Sequence, residues 1–237
     1  MRRKKQTLIW VLSVTLAFGI CVEIGYRTRK SITDDTVLSD YMKQSNMVVM
    51  LAEDEYDPSL PDAFCNDENV EDLSDLDKKE VTIIKAKLIH AEDRRRFDWC
   101  VLSQVKVENV YQGNCKTGDI LNLFEPLFLM EDGKIISVDG YQMMQEGQSY
   151  FLILKSFQDP GYGTSDVAYA PYSWRYGKFF ANEGVQATLH SELKNEDGAV
   201  RYQDVCKEEV LLYDKGQMDK FKKIKKELLA KVKGEQQ

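Results

Sequence analysis

Histidine is scarce in this chain. There are two, His90 and His190, among 237 residues. They lie far apart, so no ligand pair of the H-x-x-x-H kind exists and helical zinc chemistry is excluded. His90 closes an apolar run and His190 sits near the end of a β-rich region, where each reads as an ordinary surface or half-buried histidine. The sequence also has no G-x-S-x-G, no G-x-x-x-x-G-K-[ST] and no C-x-x-C. A serine elbow, a phosphate-cradling loop, thioredoxin-like redox chemistry and a zinc ribbon therefore have no support. The acidic stretch 53–80 has neither the glycine nor the spacing of an EF-hand, and it reads as a solvated loop rather than a calcium site. No catalytic residue, metal ligand or cofactor is expected. With 39 acids in the chain, a carboxylate pair meeting in space carries no weight for glycoside hydrolysis.

Charge is unevenly distributed. Residues 1–30 are net +6 and the remainder is net −13. So acidic a body is a poor counterion for phosphate backbones, which argues against general nucleic-acid binding. The start of the chain carries the clearest signal. Arg2, Arg3, Lys4 and Lys5 precede an apolar run over 7–26 whose one ionised residue is Glu23. That run has the length of a bilayer-crossing helix, and the basic cluster holds the N-terminus in the cytoplasm. The expected address is a single-pass cell-membrane protein with its C-terminal domain extracytoplasmic. The alternative is secretion after cleavage at the small-x-small triplet Ala17-Phe18-Gly19.

Cysteines outside the apolar run number four: Cys65, Cys100, Cys115 and Cys206. An even count in an oxidising space makes them candidates for disulfides, with three pairings open; the competing reading is that they are small buried apolar residues.

Along the chain, Asp34 or Asp35 is placed to cap a short helix to about Ser45, and "NMVVMLAE" is either a strand or more helix. "VTIIKAKLIHA" and "WCVLSQVKVENVY" alternate as strands do, the second with Val101, Val105, Val107 and Tyr111 on one parity. "QGNCKTGD" is a turn in which Gly113 and Gly118 supply positive φ. "LFLMEDGKIISVDGY" holds a tight hairpin at Asp132-Gly133. "QSYFLILKSF" is apolar nearly throughout, as a strand covered on both faces is. From about Asp214, Met218, Phe221, Ile224, Leu228, Leu229 and Val232 fall at helical spacing among lysines, which predicts an amphipathic terminal helix. Its lysines read as a solvated face, with docking on anionic lipid or polymer as the sharper role.

Aromatics crowd "GYGTSDVAYAPYSWRYGKFF". Tyr169, Tyr172, Trp174 and Tyr176 are the candidate binding surface, since aromatic faces stack on sugars or anchor a protein partner. Strand packing is the competing explanation.

The order of "VKVENVYQG", "GDILNLFEP" and "MMQEGQSYFLILK" resembles secreted or membrane-anchored proteins of Gram-positive bacteria. Their small β-barrel is of the oligonucleotide/oligosaccharide-binding (OB) type, similar to the netrin-like modules of tissue inhibitors of metalloproteases. The resemblance spans about Val81 to Phe180 and implies a fold but no catalytic residues. The expected architecture is mainly β, α+β overall: a small closed OB-like barrel with an N-terminal transmembrane helix and a C-terminal amphipathic helix. Its parts are a basic tail (1–6), a signal-anchor (7–26), a spacer with a short helix and acidic loop (27–80), the barrel (81–206) and the terminal helix (207–237). The expected function is a non-enzymatic binding or interaction module, with the bilayer and a cell-surface protein or glycan as partners and no nucleic acid. An extracellular hydrolase with unidentified acids, or an inhibitor-like module, is the alternative.

Overall fold

The computed structural model describes residues 38, 42, 46–52, 65–97, 100–130, 132–157 and 167–234. The apolar segment 7–26 lies outside them, as does most of the short helix expected before Ser45. Among the described residues no helix is long and apolar enough to cross a membrane.

In chain order the elements are β1 (Val48–Ala52), α1 (Leu73–Leu76), β2 (Val81–Ile89), β3 (Arg95–Phe97), β4 (Cys100–Gln112), β5 (Ile120–Glu125), β6 (Leu127–Leu129) and β7 (Lys134–Val138). They continue with β8 (Ser149–Phe157), β9 (Ala168–Pro171), β10 (Lys178–Phe180), β11 (Ala187–Leu189), α2 (His190–Leu193), β12 (Val200–Arg201), α3 (Tyr202–Val205), β13 (Val210–Leu212) and α4 (Lys215–Gly234). "NMVVMLAE" therefore resolves as a strand.

Five strands close a barrel. β2 pairs antiparallel with β4 and β8, β4 antiparallel with β5, and β5 parallel with β9; β9 pairs antiparallel with β8 and completes the ring. Strand alternation divides the apolar residues between two cores. Ile84, Ala86, Leu88, Val105, Val107, Leu121, Leu123, Tyr150, Leu152 and Leu154 fill the interior. Val81, Ile83, Phe151 and Ile153 point outward, beneath Phe221, Ile224, Leu228 and Val232 of α4. This double cover explains why β8 reads as apolar on both faces.

The parity expected for β4 holds only part of the way. Two register shifts against β2, at Ile83/Ile84 and Lys85/Ala86, insert extra residues into β4. Between them Val110 packs against the interior, and Tyr111, one of the extra residues, turns outward onto Phe151, with ring centroids 6.0 Å apart. Such bulges raise the local twist, which a small closed barrel requires. At the end of β4, Gly113 adopts φ +105°, and a Cβ there would lie 2.6 Å from Thr82 Oγ1.

A second sheet has the order β12-β1-β7-β6, with β1 and β7 parallel. Its β6–β7 hairpin turns at Asp132-Gly133, as the sequence predicts. The sheet packs Val49, Leu127, Leu129, Ile135, Val200 and Leu211 in a core of their own.

The latter part of the acidic stretch is not a solvated loop. Asp72 and Asp75 form a capping box on α1, and Val70, Leu73 and Leu76 are buried against α4. The lysines of α4 hold this segment in place: Lys220 meets Glu71 at 3.1 Å, Lys223 meets Asp72 at 3.6 Å and Lys231 meets Asp77 at 2.7 Å. The acidic composition masks an apolar triplet at three-residue spacing.

Candidate functional site

The four aromatics singled out in the sequence do not share one surface. Tyr176 is 0% exposed and packs 6.4 Å from Phe221, so it cannot touch an external ligand. Tyr172 is half-buried against the same outer core, whereas Tyr169 packs on the barrel interior. Trp174 is half-buried. The density of rings here reflects the meeting of β9, β10 and α4, where large side chains fill space efficiently.

No disulfide joins Cys65, Cys100, Cys115 or Cys206; each is a half-buried thiol. Burial, with Asp67 and Asp75 nearby, pushes Cys65 up to about 12, and burial also raises Cys115. A thiol so shifted is a poor nucleophile. The even count that suggested pairing carries no geometric information.

The histidines are remote from each other. His190 Nε2 lies 2.8 Å from Gly198 O, a local tie. His90, in a left-handed conformation at φ +50°, gathers with Glu92 and Asp93 at the surface. All three side chains are exposed, so water competes for every ligand atom and the cluster supports no metal claim.

The strongest concentration of ionisable groups was not legible in the sequence. Lys178 of β10 is 3% exposed. Its ammonium donates to Gln142 O at 2.5 Å and to Glu209 O at 3.3 Å, and it stands 4.4 Å and 5.3 Å from the ring centroids of Tyr141 and Tyr150. Glu125, ending β5, accepts from Ser103 Oγ, from Met144 N at 2.7 Å and from Tyr141 Oη at 3.1 Å, with Arg94 at 3.7 Å. Glu209 accepts from Phe180 N at 3.0 Å, Gln186 N at 3.1 Å and Lys225 Nζ at 2.6 Å. Lys225 comes from α4 and also donates to Gly184 O. These groups join the barrel, the segment before β13 and the terminal helix. Buried charges persist because each is paired or hydrogen-bonded.

Burial lowers Lys178 to about 8, while Glu125 and Glu209 act the other way. Its ordinary value, kept in the unfolded chain, is 10.5. Between these values the unfolded chain binds more protons, so stability rises with pH. Relative to Lys178→Met, wild type is expected to gain about 2 kcal/mol from roughly pH 7.5 to 9.5. Urea melts across that range measure the gain; a constant difference would refute a buried, proton-shedding Lys178. Were this amine open to a cleft it would suit base or Schiff-base chemistry, but it is sealed.

Among the described residues, one face of the barrel carries no covering element. On the outside of β4 and β5, Leu102 pairs with Phe124, Gln104 with Asn122 and Lys106 with Ile120. Gln104 Nε2 donates to Asn122 Oδ1 at 3.3 Å. Ile120 is 56% exposed, and Leu102 and Phe124 are half-buried. Leu102 and Ile120 join no hydrophobic cluster among the described residues. β3 lengthens the face by pairing Arg95 with Leu102. Sequence reading placed these residues on strands but had no means of telling an open face from a covered one.

No family model matches the chain, and no curated protein or solved structure matches it.

Proposed function

We propose that the chain is a membrane-tethered, extracytoplasmic binding module without enzymatic activity, built on a barrel of OB type. Its ligand, a cell-surface glycan or protein, sits on the outer face of β4 and β5. The strand connections support this reading: in chain order the five barrel strands run one-two-three-five-four and back to one, with three and five parallel. In OB barrels the face of the second and third strands holds the ligand, and here those strands are β4 and β5.

The observation that carries the reading is the open face itself. α4 covers the β2–β8 side, yet among the described residues an amide pair flanked by Ile120 and Leu102 is left toward solvent. Amide groups bordered by apolar surface are what a polar, carbon-rich ligand needs. Lys178 and Tyr141, whose protonation burial strongly perturbs, are sealed and already hydrogen-bonded, whereas catalysis needs such groups to converge on a cleft. The address rests on the basic cluster and apolar run at the N-terminus.

Capture from membranes tests both parts of the reading. The full chain is expected in the membrane fraction, with its domain open to protease added outside whole cells. It should recover a partner that Gln104→Ala/Ile120→Asp loses at least tenfold. A chain lacking residues 1–30 should leave the membrane. A cytosolic full chain, or a partner retained undiminished by the double variant, would defeat the proposal.

A further inference from the structure

Past Lys215, the lysines of α4 divide into two sets. Lys220, Lys223 and Lys231 hold the acidic segment 71–77, Lys225 pairs inward with Glu209, and Lys233 meets Glu183 at 2.7 Å. Lys222 and Lys226 make no ion pair among the described residues and stand exposed on successive turns, about 6 Å apart along the axis. Both open onto a 510 Å³ cleft between α4 and residues 183–185. Glu183, Val185, Lys225, Leu229, Ala230 and Lys233 also line it.

We propose that this cleft binds a linear aliphatic phosphodiester polyanion, one whose phosphates are separated by short carbon linkers. Residues 31–237 are net −13 as a whole, but this cleft is lined by four lysines against one carboxylate; Lys222 and Lys226, without a counter-charge among the described residues, meet successive phosphates, and the apolar side chains take the linkers between them. Lysine serves phosphate as a point charge. A flat anionic bilayer fits less well: the apolar face of α4 is already buried through Phe221, Ile224, Leu228 and Val232, so the helix cannot insert, and the site is concave. Single-stranded nucleic acid fits less well too, since no aromatic side chain lines the cleft for a base to stack on. The site is distinct from the β4–β5 face, and either can fail alone.

The test uses the full chain in nanodiscs of zwitterionic lipid, titrated with poly(glycerol phosphate) by calorimetry at about 50 and 200 mM salt. Binding is expected to weaken with salt. Lys222→Glu/Lys226→Glu should weaken it at least tenfold, and Lys222→Gln/Lys226→Gln should lower the salt slope by about two. Both variants should keep the wild-type thermal midpoint. Lys215→Glu, on the same helix but away from the cleft, should bind as wild type does. The proposal is overturned if the polymer does not bind, or if Lys215→Glu weakens it as much as the double variants do. It is also overturned if single-stranded DNA or empty phosphatidylglycerol nanodiscs compete as well per phosphate.

Discussion

Lys225→Ala is expected to lower the stability of the folded domain by about 3–5 kcal/mol, because it leaves a buried carboxylate without its counter-charge. Glu209 and Lys225 are each 1% exposed and their charges meet at 2.6 Å. Without the ammonium, Glu209 keeps two backbone N–H donors, from Phe180 and Gln186, and these do not replace a full charge in a low-dielectric setting. Gly184 O loses its donor at the same time. Thermal unfolding should begin about 10 °C lower for a chain of this size. The paired change Glu209→Gln/Lys225→Met should recover much of the loss, since a buried ion pair is worth little against neutral groups of like shape. Denaturant melts of the two single variants and the double variant would decide it. A single-variant cost below about 1 kcal/mol would mean that the pair is solvated.

Gly140→Ala should cost more than about 4 kcal/mol, a size reserved for specific structural insults. Gly140 sits at φ +79°, and a Cβ there would fall 1.8 Å from Leu211 O. The neighbour is backbone and cannot swing away. Leu211 N donates to Gly140 O at 2.9 Å, and Tyr141 bridges Val210 beside it. Parting the two segments would break both links and disturb Glu209, just before β13. Gly118→Ala is the control: its φ is +95°, but nothing lies within 4 Å of the added carbon. It carries the backbone penalty alone, about 1–2 kcal/mol. Equal costs for the two variants would show that the contact with β13 is not as close as described.

Neither prediction is legible in the sequence: Lys225 reads there as one more lysine of a solvated helix face, yet it is 1% exposed, and nothing marks Gly140. Lys178 stands in "RYGKFF", where a charge amid aromatics is the only hint that it is buried. Nothing near Glu209 or Lys225 in the chain announces their pairing. Tyr176 was legible as an aromatic but not as a core residue, and Tyr111 was assigned to the wrong face because a bulge cannot be read from alternation. The expected solvated acidic loop missed α1, since Val70, Leu73 and Leu76 are sparse among carboxylates.

The amino-acid order alone determined what local physics reaches. The two-residue alternation of β2 and β4, the apolar run of β8, the Asp132-Gly133 hairpin and the amphipathic α4 each follow from neighbours within a few positions. Only the tertiary structure decided how the barrel closes, which of its faces the terminal helix covers and which charges meet in the interior. Those outcomes depend on pairs distant in the chain, such as β5 with β9 or Glu209 with Phe180. Contacts of that kind arise from packing and leave no periodicity in the sequence that forms them.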